Sequence, residues 1–102
     1  MSARQSVVAK RLREARLRST LSQKKLGVLA GIDEFSASAR INQYERSKHT
    51  PDLSTIERIA KVLKIPSAYF YAVENDLAKW ILVFADAKPA KRRRALRTLQ
   101  GS

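Results

Sequence analysis

Apolar residues recur along this chain with a helical period, and no stretch alternates as a half-buried strand would. Near the N-terminus Val8, Leu12 and Ala15 stand at i, i+4 and i+7, which predicts a helix from about Ser6 to Arg18. Residues 1–5 ahead of it read as frayed. Ser22 is a good N-cap for a second helix, because its hydroxyl can accept an orphan N–H of the first turn. Leu26, Leu29 and Ala30 line one side of that helix, and Gly31 ends it in the left-handed conformation that suits glycine. A third helix, placed at Ala37–Arg46 with Ser36 as its cap, buries Ala37, Ile41 and Tyr44. Phe35, in the turn before it, reads as an apolar anchor that caps the core, the alternative being a wedge near a nucleic acid.

The second half continues in the same way. Pro51 forbids easy continuation of the third helix. Asp52 or Ser54 caps the fourth, and Ser54 with Glu57 has capping-box spacing. Ile56, Ile59, Ala60 and Leu63 form its core stripe, and Lys64–Pro66 end it. A short fifth helix, Ala68 to about Ala72, carries Tyr69, Phe70 and Tyr71. These rings are expected to close the bottom of the core rather than to stack on bases. Residues 6–72 thus read as one all-α domain of five helices, and residues 73–102 as a helical extension. In the extension Asn75 or Asp76 caps a helix to about Ala85. Its stripe of Leu77, Trp80, Ile81 and Phe84 is widened by Leu82 and Val83. Pro89 suits the first turn of a last helix, where Ala95, Leu96 and Leu99 are surrounded by Lys91, Arg92, Arg93, Arg94 and Arg97. Apolar surface beyond what one small domain buries marks a partner surface, so the extension is expected to dimerise. The alternative is a tail folded back on its own domain.

The outer face of the third helix changes the picture from packing to recognition. At about 100° per residue, Ala39 and Gln43 point away from the buried stripe, and Arg40 and Asn42 flank them. Arg, Asn and Gln on one outward face fit the donor and acceptor pattern of a DNA major groove.

Charge agrees. The 102 residues hold 21 Lys plus Arg against 9 Asp plus Glu, a net charge of +12, which favours a polyanion partner through counterion release. Lys10, Arg11, Arg13 and Arg18 lie off the first helix's stripe, either as a solvated face or as phosphate contacts. No cysteine is present, so a disulfide framework and a thiolate zinc site are excluded. The single histidine, His49, has no constellation that would make it a ligand or a base. There are no paired carboxylates in a plausible pocket, no Cys–His pair and no phosphate-binding glycine loop, so an enzyme is not expected. No metal, cofactor or small-molecule ligand is implied. No apolar run of about 18 residues exists to span a membrane. The N-terminus lacks a signal-peptide pattern, because Arg and Lys interrupt its apolar residues. The expected compartment is the cytoplasm.

Several segments in fixed order carry a family resemblance: LREAR at Leu12–Arg16, LSQKKLGVLAGI at Leu21–Ile32, INQYERS at Ile41–Ser47, Pro51, and IERIAKVLKIP at Ile56–Pro66. Over residues 8 to 71 the chain resembles the lambda-repressor-like (XRE) helix-turn-helix regulators. The spacing from Gly31 to Glu45 is several residues longer than usual, so the turn at Asp33–Ser36 reads as enlarged. Ser47 stands where the family usually has glycine, and Gly27 where it usually has alanine. The resemblance implies a regulator, expected to be a repressor and a homodimer, that inserts the third helix into the major groove of double-stranded DNA. Ser38, Ala39, Arg40, Asn42 and Gln43 are then the base-contact residues; the place of Arg40 early in the helix points to a guanine, with a phosphate contact as the alternative. Gln23, Ser36, Arg46, Lys48 and Thr50 would contact the backbone, with the recognition helix as the alternative partner of Gln23; Arg16 would pair with Glu45, and Leu77, Trp80, Ile81 and Phe84 would dimerise. The alternative class is an antitoxin-type protein that binds DNA and neutralises a partner through its C-terminal helices. RNA binding through the basic tail is a further reading.

Overall fold

Residues 6–101 are described by the structure, a computed structural model. The expected frayed segment, residues 1–5, lies outside the described residues. Six α-helices follow one another: α1 (Val7–Ser19), α2 (Gln23–Leu29), α3 (Glu34–Glu45), α4 (Leu53–Leu63), α5 (Asn75–Asp86) and α6 (Pro89–Gln100). A 3-10 turn, Ser67–Tyr71, joins α4 to α5 where a short α-helix was expected. Among the described residues the fold is all-α.

Side-chain caps start four of the helices. Ser6 accepts from the N–H of Ala9, Ser22 from Lys25, Asp33 from Phe35 and Asp52 from Thr55. The bonds from the backbone and then the side chain of Thr55 hold the Asp52 carboxyl below the usual carboxylate range. That contribution is therefore present at neutral pH and is lost as the pH falls through the lowered pKa. α2, α3 and α4 end alike. Ile32, Lys48 and Ile65 donate to Gly27, Gln43 and Ala60, across left-handed residues Gly31, Ser47 and Lys64. The left-handed φ of +62° at Ser47 accounts for the family's preference for glycine there. Its side chain has another use, since Ser47 Oγ accepts from the N–H of Ser6 at 2.9 Å and ties α1 to the loop after α3.

Leu12, Leu26, Ile41, Ile56, Ile59, Tyr69 and Phe70 form the fully buried centre. Tyr69 and Phe70 meet edge to face at 5.5 Å, while Tyr71 is exposed. α2 and α3 approach closely at Gly27, where an added Cβ would lie 2.7 Å from Cβ of Ala37 and 3.0 Å from its Cα.

Several expectations are corrected. α3 begins at Glu34, because Asp33 rather than Ser36 caps it; the supposed enlarged turn is one more turn of helix. Phe35 then faces away from the core and is 95% exposed. Leu29 is 51% exposed, since the seven-residue α2 buries only Leu26, Gly27 and the following Ala30. Ser54 makes no capping box; its hydroxyl accepts from Arg58. Neither Asn75 nor Asp76 caps α5, which follows Glu74 without a side-chain cap.

Three cations of α1, Arg11, Arg18 and Lys10, bond to the segment after α4, while Lys10, Arg13 and Arg18 stay exposed. Arg11 is 3% exposed and donates to the carbonyls of Ala72 and Val73, closing the chain end of the 3-10 turn onto α1. Arg18 lies over the Tyr69 ring and donates to its hydroxyl, and Lys10 donates to Asn75. α5 buries Ala78 and sets Ile81 and Leu82 against the core. α6 buries no residue fully. Arg92 fixes the α5–α6 corner by donating to the carbonyls of Phe84 and Ala85, the C-terminal end of α5, with its guanidinium over the Phe84 ring. Among the described residues, no helix is long and apolar enough to cross a membrane.

The close approach at Gly27 generates a test. Gly27→Ala gains up to about 1 kcal/mol of helix propensity, yet it should lower stability by about 1–3 kcal/mol, because the new methyl meets the backbone of Ala37. A fall in the urea midpoint is expected; a rise would mean that α2 and α3 separate at no cost.

Candidate nucleic-acid interface

The outward face of α3 carries Ser38, Ala39 and Arg40 exposed, with Asn42 and Gln43 half-buried beside them. Ala37, Ile41, Tyr44 and Glu45 hold the opposite face in the core. Arg46 caps the C-terminal end of α3, and Lys48 and Thr50 follow in the exposed loop before Pro51. Arg46, Lys48 and Thr50 therefore share one end of α3. Ser36 sits half-buried in the first turns of α3 rather than at its cap.

One buried carboxylate fixes this face. The side chains of Glu45 and Arg16 are 3% and 12% exposed. Arg16 donates from Nη2 to Glu45 Oε1 at 3.0 Å and from Nε to Oε2, a bidentate fork. Its Nη1 donates to the carbonyl of Leu21, so one guanidinium joins α1, the α1–α2 connection and α3. The hydrogen bond with Glu45, aided by the attraction of its charge and opposed by burial, raises the Arg16 pKa above its ordinary value.

Gln23 extends the network from α2. Its Nε2 donates to Glu45 Oε1 at 3.0 Å and to Asn42 Oδ1 at 3.2 Å. A carboxylate can only accept, so the nitrogen of the Gln23 amide must face it, and the oxygen of Asn42 must face that nitrogen. Asn42 is left with its NH₂ group to present outward. Gln23 was expected at the DNA backbone or at the third helix; its amide nitrogen bonds to Asn42 and Glu45 of α3. Helical periodicity gives no sign of this, because the partners lie on different helices.

The surface is chemically suited to base edges. Arg40 offers a planar fork, Ser38 a hydroxyl, Ala39 a methyl and Asn42 a pair of N–H donors. The acidic residues at the start of α3 are partly balanced, with Glu34 3.8 Å from the ammonium of Lys24 on α2.

Removing Arg16 should unseat this face. Arg16→Ala leaves a nearly buried carboxylate short of its cation and should cost about 3 kcal/mol. The pair Arg16→Met/Glu45→Leu should recover much of the loss, since apolar side chains replace both charges. An unchanged urea midpoint in Arg16→Ala would mean that the pair contributes nothing to folding.

Comparison with known proteins agrees with this geometry. A helix-turn-helix family profile matches residues 12–70, more than half of the chain. The crystal structure of transcriptional regulator BswR superposes with a TM-score of 0.87 at 46% identity, covering 92% of this chain and 93% of that one. Comparison with curated protein sequences finds no match. The arrangement of α1 to α4, the profile match and this structural likeness place the chain in one group: it belongs to the lambda-repressor-like (XRE) helix-turn-helix family.

Proposed function

We propose that this protein is a sequence-specific transcriptional regulator that binds double-stranded DNA as a homodimer and represses by occupying its site. The observation that carries the reading is the α3 face. Ser38, Ala39 and Arg40 stand in solvent on a helix whose opposite side is locked by the Arg16–Glu45 fork. Family membership and the likeness to a transcriptional regulator support it. In this reading α3 lies in the major groove, Arg40 pairs with the O6 and N7 of a guanine, and Asn42 donates to an acceptor such as guanine O6 or thymine O4. Arg46, Lys48 and Thr50 hold phosphates at the C-terminal end of α3. Repression follows from occupancy alone, since a bound dimer needs no further contact to cover its site.

Residues 6–72 act as the reading domain and 73–102 as the dimerising extension. Support for the second part comes from the groove between α5 and α6, about 670 Å³, lined by Leu77, Trp80, Ile81, Phe84, Leu96 and Leu99. Leu77 and Trp80 are each 47% exposed, an apolar opening that a second copy would cover. Two-fold symmetry then requires half-sites separated by about 10 bp or a multiple of it.

Selection on a randomised duplex pool tests the reading function. The protein should enrich a palindromic site, and Arg40→Ala should relax one base pair per half-site. With about five phosphates neutralised per protomer, the log–log slope of affinity against salt should be steeper than about −4. No enrichment, or a slope near zero by fluorescence anisotropy, would refute DNA recognition.

The extension has its own test. In the full chain, Leu77→Glu with Leu96→Glu places charge in the groove and should shift sedimentation from dimer to monomer. A variant that stays as dimeric as the wild type would falsify the α5–α6 interface.

A further inference from the structure

The extra turn at the start of α3 carries Phe35, which no core contact accounts for. Single exposed apolar residues are ordinary on protein surfaces. Phe35 differs in degree and in place. Its exposure is 95%, whereas Val73, the next most exposed large apolar side chain among the described residues, is at 73%. At about 100° per residue, Phe35 lies nearly opposite the buried Ala37, Ile41 and Tyr44. The same rotation brings Phe35, Ser38, Ala39 and Asn42 within a sector of about 100°. Phe35 therefore continues the outward stripe of α3 by one turn. From Phe35 to Asn42 the helix rises about 10 Å, close to three base-pair steps at about 3.4 Å each.

We propose that Phe35 is a base-reading residue whose ring packs on the 5-methyl group of a thymine in the major groove. The assignment rests on the DNA reading above and deepens it by naming a base feature. The methyl is the one apolar group that the major groove offers, and a ring without donors or acceptors can recognise nothing else there. A phosphate contact is closed to Phe35 for the same reason. Of the two acids beside Phe35, Glu34 is partly balanced by the ammonium of Lys24 at 3.8 Å, and the Asp33 carboxylate accepts from the N–H of Phe35. The turn lies outside the usual length of the family's third helix, so it adds a contact position rather than replacing one.

The test uses the full-length protein and the duplex it enriches from a randomised pool. Each thymine is replaced in turn by deoxyuracil, which removes the methyl and leaves every hydrogen-bonding group in place. The wild type should lose about fourfold in affinity at one thymine of each half-site, the value of one buried methyl. Phe35→Ala should bind the thymine and uracil duplexes alike at that position, while Phe35→Leu should keep the preference. All three proteins should melt at the same temperature, since the side chain is in solvent. Identical thymine/uracil profiles for wild type and Phe35→Ala would overturn the assignment, as would an equal loss by Phe35→Ala on every duplex. A profile with no sensitive thymine overturns it while leaving DNA recognition standing; failure to enrich any duplex removes both.

Discussion

Glu45 is the constraint on which the rest of this protein turns. A carboxylate almost out of solvent must be compensated, and its partners come from α1 through Arg16 and from α2 through Gln23. Apolar packing at Ala37, Ile41 and Tyr44 holds α3 to the core but is tolerant of small rotations. A bidentate fork is not, because its two bonds share a plane. The same carboxylate decides which end of the Gln23 amide faces it, and through that which end of the Asn42 amide faces outward. The seating of α3 and the orientation of Asn42 are therefore set by one group.

Much of the fold was legible because helical period and cap chemistry are local. Ser22 and the stripe of Ile56, Ile59 and Ala60 needed nothing beyond their own neighbourhoods. The start of α3 was not legible, since Asp33 and Ser36 are both good caps and only the packing chooses between them. Phe35 then misled, because an apolar residue in a supposed turn suggests an anchor. Extending the period of Ile41 and Ala37 backwards by one turn places it on the outer face instead. Arg11 was illegible for a different reason. Its acceptors, the carbonyls of Ala72 and Val73, lie more than half the chain away in sequence. For the candidate site, the outward set on α3 could be read from its phase, while the Gln23–Asn42 bond crosses between helices and has no signature in either one.

One departure from the family pattern has a local cause. Ala37 of α3 lies against position 27, where the family usually carries alanine. Two methyl groups cannot share that space, since a Cβ on Gly27 would meet Ala37 at 2.7 Å.

The formal charge of +12 conceals a division of labour. Arg11, Arg16, Arg58 and Arg92 each donate to backbone carbonyls, so their forks act as mortar between segments rather than as a cloud around the molecule. Seen from a distance, a chain with lysine at these positions would present the same electrostatic field. At close range its skeleton would be weaker, because an ammonium cannot span the same acceptors as a rigid planar fork. Arginine content and net charge therefore measure different things here: the first is part of the architecture, and only the second is visible to an approaching polyanion.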